Sequence, residues 1–220
     1  KRDLGGGSTT PENDSAGRST SDWSVALDDL KASLPNVDTV FLVVGWFGDD
    51  LRCGSSTIRP KVEVANKVTT PDAWMVHGLA RSGALVMSLS SGKPAYGGTP
   101  SDDTVVRAVR DLKARGYAVV FYPFVFMDVP AGNALPNPYG GTGQPVYPWR
   151  GRITCHPAAG QSGTVDRTVA AGTQVAAFFG ACLASHVTVS VNASTDAVTT
   201  SYSGPAEWGL RRFILHYAKL

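Results

Sequence analysis

One run, Tyr117–Asp128 (YAVVFYPFVFMD), constrains this chain more than any other segment. It is almost continuously apolar and ends in an acid. Ahead of it lie Thr99-Pro100-Ser101-Asp102, an amphipathic stretch from Asp103 to Arg115, and Gly116. A helix start, a helix, a glycine stop and a buried strand together make one α/β unit. Enzymes of α/β build place their chemistry just beyond the C-terminal ends of such strands. Here that place holds Met127, Asp128 and a long loop containing Tyr147-Pro148-Trp149-Arg150-Gly151-Arg152.

A second strand of the same kind, Thr39–Phe47 (TVFLVVGWF), lies upstream. Its near-continuous apolar run predicts burial on both faces, as in a parallel sheet. Before it, Trp23, Ala26, Leu27, Leu30 and Leu34 recur at helical spacing, with Asp22 as the expected cap and Pro35-Asn36 as the stop. Between the two strands, residues 48–100 are too long for a plain connection. Short strands at Lys61–Val64 and Ala84–Leu89 and a short helix over Asp72–Leu79 are the expected structure there. The helix Asp103–Arg115 should bury Val105, Val106, Val109 and Leu112, with Asp102 as N-cap and Gly116 just past its end.

A second long insert, residues 128–165, is rich in Pro, Gly and aromatics. Asp166 then opens a helix expected to run to about Ala184, weakened by Gly172 and Gly180. Val187–Val191 and Ala197–Tyr202 flank Asn192-Ala193-Ser194-Thr195-Asp196 as a hairpin. Pro205 starts a final helix, Ala206–Lys219. Helices alternating with strands mean parallel α/β. Two full strands cannot close a barrel, so the chain is read as a piece of a larger domain.

Composition narrows the function. The 220 residues carry a net charge of only +2, and the basic residues are scattered, which argues against a nucleic-acid partner. No segment stays apolar for the roughly 20 residues of a membrane span, and Lys1-Arg2 leads into Gly/Ser/Thr rather than a signal-peptide core. Residues 1–21 read as a flexible lead-in. Cys53, Cys155 and Cys182 form no CxxC pair, so reduced thiols are the default and one disulfide remains open. His77, His156, His186 and His216 are dispersed, and neither a metal nor a cofactor is assigned.

Several phrases, in order, resemble one family: Val44-Gly45-Trp46-Phe47-Gly48-Asp49-Asp50-Leu51-Arg52, Ala95-Tyr96-Gly97-Gly98-Thr99-Pro100-Ser101-Asp102, Tyr122-Pro123-Phe124 with Met127-Asp128, Pro148-Trp149-Arg150-Gly151-Arg152-Ile153, and Arg211-Arg212-Phe213-Ile214-Leu215-His216-Tyr217-Ala218. They are similar to the glycoside-hydrolase-like TIM-barrel domain of the large tail-tip protein of gene transfer agents and related phage tails. The resemblance covers residues 22–220. It implies a partial (β/α)8 domain with inserts at about 48–100 and 128–165, truncated before strand four. Asp22–Leu34 would correspond to helix one, Thr39–Phe47 to strand two, Asp103–Arg115 to helix two and Ala118–Met127 to strand three.

That resemblance implies a particle tail as the location, with synthesis in the bacterial cytoplasm. Other tail-tip proteins and a surface or cell-wall glycan would be the partners. The function implied is glycan cleavage or contact during attachment or DNA delivery; the alternative is an inactive structural or glycan-binding module. In related hydrolases the catalytic carboxylates sit at the ends of strands four and seven, which this sequence does not contain, so the catalytic residues are unknown and the chain alone is expected to be inactive.

The substrate-binding candidates each have two readings. Trp46, at a strand end, either stacks on a sugar or fills the core. Asp50, beside Asp49 and Arg52, either binds sugar hydroxyls or belongs to a capping and ion-pair cluster. Asp128 either faces substrate or caps the loop before Pro130. Trp149, Arg150 and Arg152 combine a stacking face with planar donors, or else pin the long loop. His216, on a helix with apolar neighbours, reads as a core or interface histidine.

Overall fold

The computed structural model describes residues 1–15, 17–18, 21–148 and 150–220. In chain order the elements are β1 (Arg2–Gly5), β2 (Ser8–Thr10), α1 (Asp22–Ser33), β3 (Thr39–Gly48), β4 (Ile58–Arg59), β5 (Lys61–Val62), β6 (Val68–Thr69), β7 (Met75–Val76) and β8 (Leu79–Ala80). There follow β9 (Leu85–Val86), β10 (Leu89–Ser90), β11 (Lys93–Pro94), α2 (Asp102–Ala114), β12 (Ala118–Met127), α3 (Val169–Phe179), β13 (Val187–Val191), β14 (Val198–Tyr202) and α4 (Leu210–Lys219). The architecture is mixed α/β with small sheets, and among the described residues no barrel closes.

The centre of the molecule is the parallel pair β3–β12, in unbroken register from Ala118↔Thr39 to Met127↔Gly48. On one face Leu27 of α1, Leu112 of α2 and Tyr117 pack with Val37, Val40, Leu42 and Val119. The larger core gathers at the C-terminal half of the strands, around Val44, Trp46, Val125 and Met127, and takes in Val105 of α2 and Phe213 and Tyr217 of α4.

Burial of these strands on both faces, expected from their apolar runs, holds only at that half. Nearer their starts Phe41, Val43, Val120 and Tyr122 are 65%, 49%, 40% and 41% exposed. Val120 pairs with Phe41 and Tyr122 with Val43, so the four share the face turned away from α1 and α2. The inserts cover the far end of the ladder and leave the near end bare.

Both long helices begin one residue earlier than expected. The Ser21 hydroxyl accepts from Ser24 N–H, and the Ser101 hydroxyl from Thr104 N–H, so the serines are the caps rather than Asp22 and Asp102. Gly116, with φ +88, follows α2 as anticipated. Helix α3 starts at Val169 instead of Asp166 and stops at Gly180, whose φ of 71 suits glycine. It has no buried residue. The 18-residue stretch Val169–His186 has a mean hydropathy of 1.2 and passes a length-and-composition criterion for a membrane span. Its α-helix, however, runs only 11 residues, about 16 Å at 1.5 Å per residue, against the ~30 Å of a bilayer core.

Helix α4 is shorter than expected, because Pro205 to Gly209 form a loop and Leu210 opens the helix. Residues 72–79 make no helix; β7 and β8 pair there as a small antiparallel hairpin. The expected strands in this insert shrink to β5 and β9, which pair in parallel. The stretch read as a flexible lead-in carries the β1–β2 hairpin, and β1 also pairs with β6. The β13–β14 hairpin forms as anticipated, with Asn192 Oδ1 accepting from the N–H groups of Ser194 and Thr195.

Candidate functional site

Asp128 stands one residue beyond β12, and its N–H donates to Gly48 O at 2.8 Å, carrying the ladder one step further. The carboxylate is 4% exposed. Lys61 Nζ meets its Oδ2 at 2.7 Å, and both side chains are buried. Ser88 donates to it twice, N–H to Oδ2 at 3.2 Å and the hydroxyl to Oδ1. The β5–β9 pairing brings Lys61 and Ser88 over the strand end. Thr99 fixes Lys61 by accepting its N–H and donating its own N–H to Lys61 O, while the Thr99 hydroxyl donates to Gly45 O.

Tyr96 donates to Met127 O at 3.1 Å and stands edge-on to Tyr147, whose hydroxyl is 3.1 Å from Ser88 Oγ. Burial, with the Asp128 charge next, pushes the Tyr96 phenol above its ordinary range. Asp128 is therefore braced on each oxygen, and the loop-cap reading fits its contacts better than a substrate ligand.

Asp50 lies beyond the adjacent strand end, 4% exposed. Arg52 grips it through Nη2 at 2.6 Å, through Nε and through its own N–H at 2.8 Å. Gln144 Nε2 adds a bond of 2.7 Å, and Gln144 Oε1 accepts from Leu51 N–H. Burial raises the Asp50 carboxyl, but the Arg52 and Gln144 donors outweigh it and hold the group below the usual carboxylate range. Asp49 is likewise committed, to the N–H and hydroxyl of Thr57, each at 2.7 Å. Gln144 ties the second insert to the loop after β3, a role the sequence did not signal.

Of its two readings, Trp46 fits the core one rather than the sugar platform. It is 0% exposed. Its ring stacks on Phe213 with centroids 5.0 Å apart, and its Nε1–H donates to Tyr217 OH at 3.1 Å. Burial drives the Tyr217 phenol far above its ordinary range.

Of the recognition cluster on the second insert, Trp149 lies outside the described residues, and Arg150 opens a short 3-10 turn with Gly151 and Arg152. Arg152 is exposed, its guanidinium 5.6 Å from the Tyr139 ring centroid, and Tyr139 OH donates to Arg152 O at 2.7 Å. Among the candidates whose side chains are described, Arg152 alone is exposed to solvent.

A second buried polar group holds His216 in the core, as its apolar neighbours implied, and joins it to partners the sequence did not signal. His216 Nε2 sits 2.8 Å from Asp102 Oδ1, and Asp102 Oδ2 accepts from His77 N–H and the Thr200 hydroxyl. Arg212 Nε donates to His77 Nε2 at 2.9 Å. Its guanidinium lies 3.6 Å from the Trp208 ring centroid and 3.7 Å from that of Tyr202. Burial lowers the Arg212 pKa. Burial, then the His216 and Arg212 charges, push His77 down to about 3. An Asp–His pair suggests acid–base chemistry, but His216 is 0% exposed and Asp102 2%. No substrate reaches it, so the group braces α2, α4 and two hairpins.

Two cavities lie elsewhere. One, of about 410 Å³, is lined by Cys53, Val125, Thr154, Cys155, Phe178 and Leu210 among others. The other, of about 670 Å³, lies between residues 54–57, the end of α3 and Trp208. Neither is lined by Trp46, Asp50, Asp128 or Arg152. Among the described residues no three His, Cys, Asp or Glu side chains gather as metal ligands. No protein-family model and no curated protein matches this chain.

Proposed function

We propose that this chain is a tail-tip module of a phage-like particle, resembling a glycoside hydrolase in build, that holds the tip together or touches envelope glycan without cleaving it. Among the acids at the ends of β3 and β12, the observation that favours the non-catalytic reading is the commitment of Asp128 to Lys61 and Ser88. Glycosidases need two carboxyl groups, about 5 Å apart in retaining enzymes, presented to the substrate. Asp128, Asp50 and Asp49 are each bound to internal donors instead.

The barrel part of the proposal, a partial (β/α)8 domain, is supported by β3–α2–β12. Two ten-residue strands run parallel around a helix, with helices on one face and Phe41, Val43, Val120 and Tyr122 on the other. In a closed barrel such a face fills the interior. Location in a particle tail, synthesis in the bacterial cytoplasm and contact with other tail-tip proteins belong to the same proposal.

The test is to incubate the chain with purified peptidoglycan and capsular glycans, reading both co-sedimentation and reducing ends. Retention without release, weakened by Arg152→Ala, assigns glycan contact through the second insert. Neither retention nor release assigns a bracing role. Release of reducing ends overturns the proposal.

A further inference from the structure

Cys53 and Cys155, 102 residues apart in sequence, are brought together by the two inserts, with their sulfurs 3.6 Å apart. The contact is fixed by backbone. Arg52 and Thr154 form a parallel bridge, Cys53 N–H donates to Thr154 O at 2.8 Å, and Thr154 N–H to Leu51 O at 2.9 Å. Each cysteine follows a bridged residue, so the side chains leave neighbouring backbones on the same side. A disulfide needs Cα atoms within about 7 Å, which neighbours across such a bridge satisfy.

Both thiols have only weak partners. Cys53 donates to Cys155, and Cys155 donates to Ala171 O in α3 at 3.7 Å. Cys182 is buried elsewhere, with its thiol on Leu183 O. Both Cys53 and Cys155 line the 410 Å³ cavity, and Cys155 is the less buried of the two. A small oxidant therefore meets Cys155 first.

We infer that Cys53 and Cys155 are a disulfide-forming pair, closed by a small disulfide oxidant, which locks the first insert to the second and leaves Cys182 reduced. The Cys155 thiolate attacks one sulfur of the oxidant RSSR and expels RS⁻, giving a mixed disulfide. Cys53, its proton lost to solvent, then attacks the Cys155 sulfur and expels the second RS⁻. The two protein thiols give up two electrons and two protons, and the oxidant leaves as two RSH. Burial, with the bond to Cys155 next, pushes the Cys53 thiol up to about 12, so the closing step quickens as pH rises.

The experiment treats the full chain with oxidised glutathione, alkylates it in denaturant, then maps its peptides without reduction. The expected result is an intact mass lower by about 2 Da, two hydrogens. A Cys53–Cys155 cross-linked peptide should appear, with alkylation at Cys182 alone. The melting midpoint should rise by about 5–10 °C, because a bridge closing so long a loop restricts the unfolded chain strongly, and dithiothreitol should reverse the rise. Cys182→Ser should behave like the parent, and Cys155→Ser should show neither mass loss nor shift. Stable glutathione adducts without the cross-link, a cross-link containing Cys182, or three alkylatable thiols after treatment would each overturn the inference. Should Cys155→Ser fail to fold, the parent peptide map decides alone.

Discussion

His216 Nε2 lies 2.8 Å from Asp102 Oδ1, joining residues 114 positions apart where both side chains are buried. The same carboxylate accepts His77 N–H from the β7–β8 turn and the Thr200 hydroxyl from β14. One acid at the start of α2 thus collects three other elements. Asp102→Ala leaves a buried ring N–H and a buried backbone N–H without an acceptor. The expected loss is about 3–5 kcal/mol, with Asp102→Asn milder. Urea unfolding measures it, and a loss within ~0.5 kcal/mol would show that the carboxylate braces nothing.

Below neutrality His77 should govern part of the stability. Its folded pKa, about 3, lies below the ordinary 6.5. Between those values the unfolded chain binds a proton that the folded chain does not, so stability is present above about pH 6.5 and falls as pH drops toward 3. The slope should approach ~1.4 kcal/mol per pH unit in the middle of that window. Urea midpoints at pH 7 and pH 5 for the parent and His77→Gln check it, with the variant losing less between the two. Equal losses would remove His77 as the source.

The Lys61–Asp128 pair should behave as a buried ion pair does. Asp128→Ala strands a buried ammonium 67 positions away in sequence, costing about 3–5 kcal/mol, whereas Lys61→Met with Asp128→Leu should cost less than Asp128→Ala alone. A double-mutant cycle by chemical denaturation reads the coupling. A double variant worse than both single ones would contradict the pairing.

A β-carbon at Gly45 would drive into the ring of Phe126, with the Phe124 carbonyl 3.3 Å behind. Gly45→Ala should therefore destabilise by about 1–3 kcal/mol through overpacking. Adding Phe126→Leu should return part of the loss. A melting midpoint unchanged by Gly45→Ala would show that the two strands pack more loosely than their register implies.

The bare strip of Phe41, Val43, Val120 and Tyr122 should make the isolated chain self-associate, since contiguous apolar faces seek cover. Phe41→Lys with Val120→Lys should shift the sedimentation profile toward monomer while leaving the midpoint within a few degrees. A parent that is already monodisperse would count against a face that needs a neighbour.

What the sequence determined by itself was local and periodic. The strands Thr39–Gly48 and Ala118–Met127, the helices before them and the hairpin at Val187–Tyr202 follow from apolar runs, helical spacing and turn residues. So did the position of Asp50 and Asp128 just beyond adjacent strand ends. The caps shifted by one because serine and aspartate stand side by side at each start; at α2, His216 and His77 claim Asp102 and leave Ser101 to cap. The expected helix at Asp72–Leu79 gave way to a turn through His77 and Gly78, both at positive φ. The use made of the candidate residues was decided only by tertiary contacts. Trp46 meets Tyr217 at a separation of 171 residues, Asp50 meets Gln144 at 94 and Asp128 meets Lys61 at 67. No local period encodes such meetings, and burial with a partner turns residue types that suit sugar recognition into braces of the fold.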